Sequence, residues 1–209
     1  MDHIDTGLRG LLKYPIIYDL FLKLIGYYNV MEILSNEYIL AKSGQTILDI
    51  GCGSSLILNW LPKGIKYFGY DLNINHISHN QKKYANHTFF CKRVSEMSSL
   101  ENDSYDIALA ISLIHHLNDL EAYVLFNSIK KTLKPGGRFI TYDPVWTYRE
   151  GKLESLIKRN DRGRNIRDED HYLKFARGEF KNITLHIRNN MGWHFPATVA
   201  IVVCQKEAQ

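Results

Sequence analysis

The stretch Ile47-Leu48-Asp49-Ile50-Gly51-Cys52-Gly53-Ser54 decides the fold of this chain. A short apolar strand that carries an acid runs directly into a Gly-x-Gly turn. Glycines there allow positive φ and let a ligand approach the backbone more closely than any Cβ would. The following segment, residues 54–61, is expected to form a helix whose free N–H groups favour an electron-rich ligand. We therefore predict a nucleotide-type ligand at this turn.

Strands and helices alternate on either side of the turn. Strand-like runs are separated by helical segments, of which 74–84 and 120–133 are the clearest. This alternation predicts a doubly wound α/β fold with a mainly parallel seven-stranded sheet and helices on both faces. Two final strands joined by a short loop predict a C-terminal antiparallel hairpin. The predicted strands are residues 46–50, 66–70, 88–91, 105–111, 138–142, 183–188 and 198–204.

The composition indicates which class of protein this is. The chain has 209 residues, of which 45% are hydrophobic and 23% charged, as is typical of a single soluble globular domain. No apolar run is long enough to span a bilayer, and the N-terminus has no basic leader. The three cysteines are far apart and predict neither disulfides nor a metal site, so we expect a reduced, cytoplasmic protein without a metal. The net charge of +4 is modest, which disfavours nucleic acid as a partner, and we expect no membrane partner. The sequence does not predict the oligomeric state.

Two acids narrow the identity of the ligand. Asp49 lies two residues before Gly51, and Asp71 ends the next predicted strand. A G-x-G-x-x-G turn holds the pyrophosphate of nicotinamide cofactors. Here Leu56 stands in place of the third glycine, and Asp49 would repel phosphates. S-adenosylmethionine (SAM) carries an ammonium and a sulfonium but no phosphate, so it suits this turn better.

The chain resembles the class I SAM-dependent methyltransferases at these positions. Residues 47–54 are similar to the first motif of that family, and other signatures follow in the family's order. The segments 15–18 with Gly26, and 161–167, resemble a group of small bacterial methyltransferases of unassigned substrate. The resemblance implies a Rossmann-like fold, SAM as the cofactor and methyl transfer as the activity. The later signatures are Asp106, Ile111-Ser112, His115-His116-Leu117 and Leu133-Lys134-Pro135-Gly136-Gly137.

The resemblance also implies a cofactor role for particular residues. Asp49 is expected to attract the SAM ammonium, and Asp71 to accept both ribose hydroxyls, since an ionised carboxylate offers two acceptor oxygens. Val94 and Ser95 stand where relatives commonly place an acid for the adenine amino group; Glu96 would serve only if the loop shifted. The other expected contacts are Gly51, Cys52 and Gly53 beneath the methionine part, Leu72 and Asn73 beside the ribose, and Ser112 beside the methyl group.

His115 and His116 are the candidates for proton chemistry. Histidine has a suitable pKa for a general base, and an oxygen nucleophile is stronger once deprotonated. Two alternatives remain open: the histidines only cap a helix or pack near SAM, and alignment of donor and acceptor supplies the rate without a base.

Segments outside the SAM core are expected to select the acceptor. We divide the single domain, residues 1–209, into an N-terminal helical lid (1–44), a SAM-binding core (45–143), a substrate-side insertion (144–179) and a strand pair (180–209). Arginines 162, 164 and 167 either clamp an acidic acceptor or form salt bridges with neighbouring acids, and the second role is favoured because the charges nearly balance. The predicted acceptor contacts are Tyr14, Tyr18, Trp146 and Arg164, with an apolar wall from Trp193, His194 and Phe195.

Four functions are compatible with these features to different degrees. The leading function is a SAM-dependent methyltransferase that acts on a small molecule, and we favour oxygen as the methylated atom. An RNA or protein methyltransferase and a SAM-binding protein without catalysis are the alternatives. A nicotinamide oxidoreductase is disfavoured by Leu56 and Asp49.

Overall fold

The computed structural model describes residues 15–93, 96, 100–161 and 163–208. Its centre is a seven-stranded sheet with the order β3-β2-β1-β4-β5-β7-β6. Neighbouring strands from β3 through β5 run parallel, whereas β7 runs antiparallel to both β5 and β6. The predicted fold class is therefore confirmed. The strands are β1 (Thr46–Ile50), β2 (Lys66–Asp71), β3 (Thr88–Cys91), β4 (Tyr105–Ile111), β5 (Leu133–Pro144), β6 (Asn182–Asn189) and β7 (Thr198–Gln205).

The helices cover both faces of this sheet. Local signals set where some of them begin: the Asn73 side chain accepts a hydrogen bond from the Asn75 amide, and Asn118 and Glu121 form a reciprocal capping box. The helices are α1 (Pro15–Leu24), α2 (Tyr27–Ile33), α3 (Ile74–Lys83), α4 (Asp119–Thr132), α5 (Lys152–Arg159) and α6 (Glu169–Arg177). The named elements also include a π-helical segment (Leu34–Ile39) and two 3₁₀ turns (Leu56–Asn59 and Ile114–His116).

Two hydrophobic cores lie on opposite faces of the sheet. On one face α4 and α6 pack onto the strands through residues such as Phe126 and Phe175. On the other face α2, α3 and the π-helical segment contribute Met31, Leu34 and Ile77. The apolar β4 is buried almost throughout because it lies between these two layers.

The strand order places a crevice at the carboxyl ends of β1 and β4. From β1 the chain adds β2 and β3 on one side of the sheet, whereas β4 and β5 lie on the other side. Ligands of doubly wound folds bind at such a switch point. Asp49 sits next to the end of β1, where it pairs with Gly69 on β2 and Leu109 on β4. The fold thus brings the acid of the glycine turn to the crevice.

One sequence prediction of secondary structure was wrong in detail. Residues 54–61 were expected to be a helix, but Ser55 adopts φ of +54° and only a short 3₁₀ turn follows it. The residues just before the predicted strand 138–142 belong to β5 but bulge out of its ladder, because Leu133 pairs with Tyr105 and Arg138 pairs with Ile107, and Gly136 adopts φ of +77°. Helix α2 is followed directly by the π-helical segment from Leu34, and the chain leaves that segment at Leu40, which adopts positive φ.

Glycines lock the N-terminal helices onto the loop between β6 and β7. A Cβ on Gly26 would lie 2.4 Å from the Gly192 carbonyl oxygen, and one on Gly192 would lie 2.8 Å from the Val30 amide. The His194 amide donates to the Ile25 carbonyl at 3.0 Å beside this contact. The close approach holds α1 and α2 against the crevice.

The division of the domain into lid, core, insertion and strand pair stays a prediction. Among the described helices, none is long and apolar enough to cross a bilayer.

Candidate active site

The glycine turn after β1 is held open by backbone geometry. Gly51 and Gly53 adopt φ of +72° and +50°, values that side chains disfavour. The amides of Gly51 and Cys52 donate to the Tyr70 carbonyl at 2.7 and 3.0 Å. A Cβ on Gly53 would meet no atom within 4 Å, so its surface faces open space. The turn therefore presents bare backbone to the crevice.

Asp71 ties this turn to the end of β2. Its Oδ2 accepts from the Gly53 amide at 2.9 Å, and its Oδ1 accepts from the Asn73 amide at 2.7 Å. Each carboxylate oxygen can accept a further hydrogen bond, so the side chain is oriented and still able to bind hydroxyl groups. Asn80 supports the same turn, because its Nδ2 donates to the Gly53 carbonyl at 2.7 Å.

Asp49 is a buried acid with an unsatisfied oxygen. Its Oδ2 accepts a hydrogen bond from the Tyr67 hydroxyl, while Oδ1 has no hydrogen-bond partner among the described residues. Burial raises its pKa to about 7, although the Tyr67 hydrogen bond lowers it; the nearby Asp71 adds to the increase. A buried carboxylate oxygen without a partner is costly, so a cationic ligand group would relieve it.

One cavity of about 570 Å³ includes this turn and extends along the crevice. Its size is typical of small-molecule sites. Among the predicted cofactor residues, Val94 and Ser95 lie outside the described residues. All the others line the cavity: Asp49, Gly51, Cys52, Gly53, Asp71, Leu72, Asn73 and Ser112.

The far side of the cavity is walled by aromatic and apolar side chains. The ring centroids of Tyr27 and Trp193 lie 5.3 Å apart, and those of Trp193 and Phe195 lie 5.0 Å apart. The Tyr27 hydroxyl lies 3.5 Å from Oγ of Ser112, which adopts φ of +54° at the exit of β4. Trp193 is fixed by a hydrogen bond of 2.6 Å from its Nε1 to the Tyr142 hydroxyl.

His115 is enclosed by acids and by the chain that follows α5. Its Nδ1 lies 2.7 Å from Oδ1 of Asp143, which also accepts from the His115 amide at 3.0 Å. Its Nε2 lies 3.4 Å from Oδ1 of Asp161. A Cβ on Gly163 would lie 1.8 Å from the imidazole Cδ2, so only glycine fits against this ring. Both ring nitrogens face carboxylates, so these contacts favour the imidazolium form, in which both nitrogens carry a proton.

Comparison with known proteins agrees with this geometry. A family model described as "Methyltransferase domain" matches residues 48–141. A sterol 4-C-methyltransferase from Caenorhabditis elegans is 30% identical over 140 residues, which cover 63% of this chain and 38% of the relative. These matches support the assignment of this chain to the class I SAM-dependent methyltransferases. It spans about two fifths of the length of the curated relatives it matches.

Two further comparisons extend this assignment. A ubiquinone biosynthesis O-methyltransferase from Bradyrhizobium sp. (strain ORS 278) is 30% identical over 103 residues, 47% of this chain and 39% of the relative. The methyltransferase fold also superimposes on the crystal structure of a SAM-dependent methyltransferase from Archaeoglobus fulgidus. That pair has a TM-score of 0.72 and 15% sequence identity, and the match covers 90% of this chain and 99% of the other.

The described residues of this chain fit SAM, the cofactor that the sequence predicts. The unpartnered Oδ1 of Asp49 suits the ammonium, the open backbone at Gly53 leaves space for the methionine part, and the oriented Asp71 suits the ribose. When bound, SAM supplies an electrophilic methyl group on a sulfonium.

The acceptor contacts predicted from sequence are not brought together. Tyr14 lies outside the described residues, and so does the side chain of Tyr18. Trp146 packs against Lys158, and Arg164 is solvent-exposed; neither residue lines the cavity. The apolar wall of the cavity comes from α1, α2 and the β6–β7 loop, and acceptor contacts of Trp146 and Arg164 stay a prediction.

Arg167 has a structural position. Its guanidinium donates to the carbonyls of Ile114 and Leu117 at 3.1 and 2.8 Å and to Asp119 at 2.7 Å. The residue is buried, and its guanidinium lies over the Phe175 ring. It therefore fixes the 3₁₀ turn that carries both histidines, and its acidic partner is Asp119 rather than the acids next to it in sequence.

Asp143 and Asp161 are site residues that sequence reasoning missed. Neither acid was predicted to lie beside His115. Asp143 lies next to the end of β5 beside the exit of β4, so strand adjacency could have indicated its contact with His115. No local signal places Asp161 there, because the contact spans 46 residues through the packing of the inserted segment.

Proposed function

We propose that this chain transfers the methyl group of SAM to a hydroxyl oxygen of a small-molecule acceptor. The observation that carries the proposal is one shared cavity: the described cofactor residues, the Ser112 exit of β4 and the apolar wall all line it. Donor and acceptor can therefore lie side by side in the same cavity. Because the chain spans only part of its relatives, this activity is inferred from the site.

The walls of the cavity favour an apolar acceptor that carries a ring. Tyr27, Trp193 and Phe195 form a continuous aromatic series, and Leu22 and Ile157 line the same cavity. Flat rings pack well against such surfaces. The two relatives described above are named as methyltransferases that act at carbon and at oxygen. We favour oxygen here because acids and histidines, which assist the loss of a hydroxyl proton, stand at this side of the cavity.

The mechanism needs little more than alignment and a proton acceptor. Methyl transfer is an in-line displacement, so the residues that hold donor and acceptor in one line supply much of the rate. Asp49 and Asp71 position the cofactor, and the aromatic wall positions the acceptor and excludes water. A polar group near Ser112 must take the hydroxyl proton as the new bond forms.

Transfer of a labelled methyl group tests this function. Purified protein with labelled SAM is offered phenol, benzylamine and benzoate as matched probes of hydroxyl, amine and carboxylate acceptors. We expect label in the phenol product and a loss of transfer in Asp71→Ala. SAM binding without transfer to any acceptor would favour a SAM-binding protein without catalysis. Transfer into RNA with steep salt dependence would favour the nucleic-acid alternative.

A further inference from the structure

The acceptor side of the cavity presents Asp161 more openly than His115. Asp143 lies against Nδ1 of His115 and Asp161 against Nε2, while Gly163 packs on the ring edge. The His116 ring lies 4.2 Å away from the His115 ring, centroid to centroid. The side chain of His115 is 5% exposed, whereas that of Asp161 is 36% exposed, and both residues line the cavity. A ligand can thus reach Asp161 without any rearrangement, but it reaches Nε2 only by displacing Asp161.

Asp161 is anchored in this position. Its Oδ1 accepts from the Gly163 amide at 2.6 Å, and its own amide donates to the Lys158 carbonyl at the end of α5. The Asn165 amide donates to the His115 carbonyl at 3.0 Å, so the segment after α5 is fastened to the histidine turn at two points. The carboxylate therefore belongs to a fixed loop rather than to a mobile surface side chain.

The ionisation states of His115 and Asp161 agree with the more open position of Asp161. Burial lowers the pKa of His115, but the carboxylates of Asp143 and Asp161 outweigh burial and raise the pKa to about 9. Burial acts to raise the pKa of Asp161, but His115 and the Gly163 amide outweigh it and lower the pKa. Among the described residues, the other charged or titratable groups around the pair include His116, Arg167, Tyr172 and Lys158. At neutral pH the histidine is a cation with no free lone pair, and the aspartate is an anion.

We propose that Asp161, and not His115, is the group that contacts the acceptor hydroxyl and takes its proton. In this arrangement His115 is a positioning residue, held by Asp143, that keeps the Asp161 carboxylate in place. The inference rests on the proposed function, since it names the catalytic residue of the same cavity. It assigns to the inserted segment a direct part in the reaction.

The proton balance of the step is simple. The acceptor oxygen forms a bond to the methyl carbon, the carbon–sulfur bond breaks, and its electron pair stays on sulfur. The hydroxyl becomes strongly acidic as the new bond forms, so a carboxylate of low pKa is basic enough to take the proton. Asp161 then releases the proton to solvent through its exposed part.

Ligand binding to three variants tests the proposal independently of turnover. Phenol is the probe, and anisole, which has the same ring without an O–H, is its matched control. Asp161→Asn keeps the shape and the contact with Gly163. The control variant Asp168→Asn changes an exposed acid whose partner is His171, outside the cavity, and keeps its helix-capping ability. His116→Ala tests the neighbouring histidine. Affinities are measured with S-adenosylhomocysteine present, by calorimetry or by chemical-shift titration.

We expect Asp161→Asn to weaken phenol binding by about tenfold to a hundredfold, because a charge-assisted hydrogen bond is lost. Anisole binding should stay unchanged in that variant, and Asp168→Asn should bind both probes as wild type does. Three outcomes would overturn the proposal. Phenol could bind wild type and Asp161→Asn equally well, it could fail to bind wild type, or its affinity could fall only in His116→Ala. If S-adenosylhomocysteine itself fails to bind, the proposed function fails instead.

The pH dependence of turnover gives a second measurement. The rate is measured with saturating SAM, so that the pH dependence of cofactor binding does not enter, and with benzyl alcohol, which does not ionise in water near neutral pH. A rate that depends on the Asp161 carboxylate should then be level between about pH 6 and pH 8. A rate that climbs through this range toward the pKa of His115 would show that the histidine is the base.

Discussion

The Tyr67 hydroxyl donates a hydrogen bond to Oδ2 of Asp49 on the neighbouring strand, and both side chains are buried. This contact fixes a carboxylate at the base of the glycine turn with its second oxygen unpaired among the described residues. Burial, with a smaller contribution from Asp71, keeps the pKa of Asp49 near 7 despite the Tyr67 hydrogen bond. The cofactor site is therefore built around an acid that is only partly ionised before a cationic ligand arrives.

The first prediction concerns the pH dependence of SAM binding. The SAM ammonium favours ionised Asp49, so affinity should increase between about pH 5.5 and pH 7.5, below the range in which an amino group loses its own proton. Binding at the acid end should release a proton, measured by calorimetry in buffers of different ionisation enthalpy. Tyr67→Phe removes a contact that lowers the pKa of Asp49, so the increase should move to higher pH. An affinity that does not change with pH would separate Asp49 from the ammonium.

The Asp49 carboxyl group affects folding stability in the opposite direction: SAM affinity increases with pH, whereas this group's contribution to stability decreases. Its pKa in the folded chain, about 7, exceeds the ordinary 3.8, so the folded state binds the proton more tightly than the unfolded state does. The protonated form therefore favours folding, and this group's contribution declines as the pH rises from about 4 to about 7.

The second prediction concerns Asp71. Asp71→Ala should weaken SAM binding by about 1–3 kcal/mol through lost hydrogen bonds to the ribose. Because Asp71 also accepts from the Gly53 and Asn73 amides, the comparison needs the exposed Asp170→Ala as a control and a circular dichroism spectrum of each variant. Wild-type affinity in a folded Asp71→Ala protein would remove this acid from the ribose site.

The third prediction contrasts two arginines that the sequence presents as one cluster. Arg167→Ala leaves the Leu117 carbonyl without its donor and removes one of the two donors to the Ile114 carbonyl, so it should lower the free energy of unfolding by about 2–3 kcal/mol. Arg164→Ala removes an exposed side chain and should change stability by less than about 0.5 kcal/mol. Denaturant unfolding measures both. A stable Arg167→Ala protein that loses only acceptor affinity would show that the arginine binds the acceptor.

Much of the fold follows from local pattern, whereas the acceptor site does not. The run of apolar residues in β4 and the alternation of elements predict the sheet, because burial between two helical layers needs such residues. The glycine turn and Asp71 predict the cofactor crevice, because both are local sequence features that directly follow predicted strands. Positive φ at Ser55 ended the expected helix, a detail that serine does not signal. The contact between His115 and Asp161 depends on how the inserted segment packs, and periodicity carries no information about it.

The most direct test is a calorimetric titration of the protein with SAM, S-adenosylhomocysteine and NAD under identical conditions. The glycine turn lacks the third glycine and carries a buried acid, so it suits a cationic ligand and disfavours a pyrophosphate. We predict micromolar binding of SAM and S-adenosylhomocysteine and no binding of NAD. Binding of NAD with no binding of SAM would contradict the account.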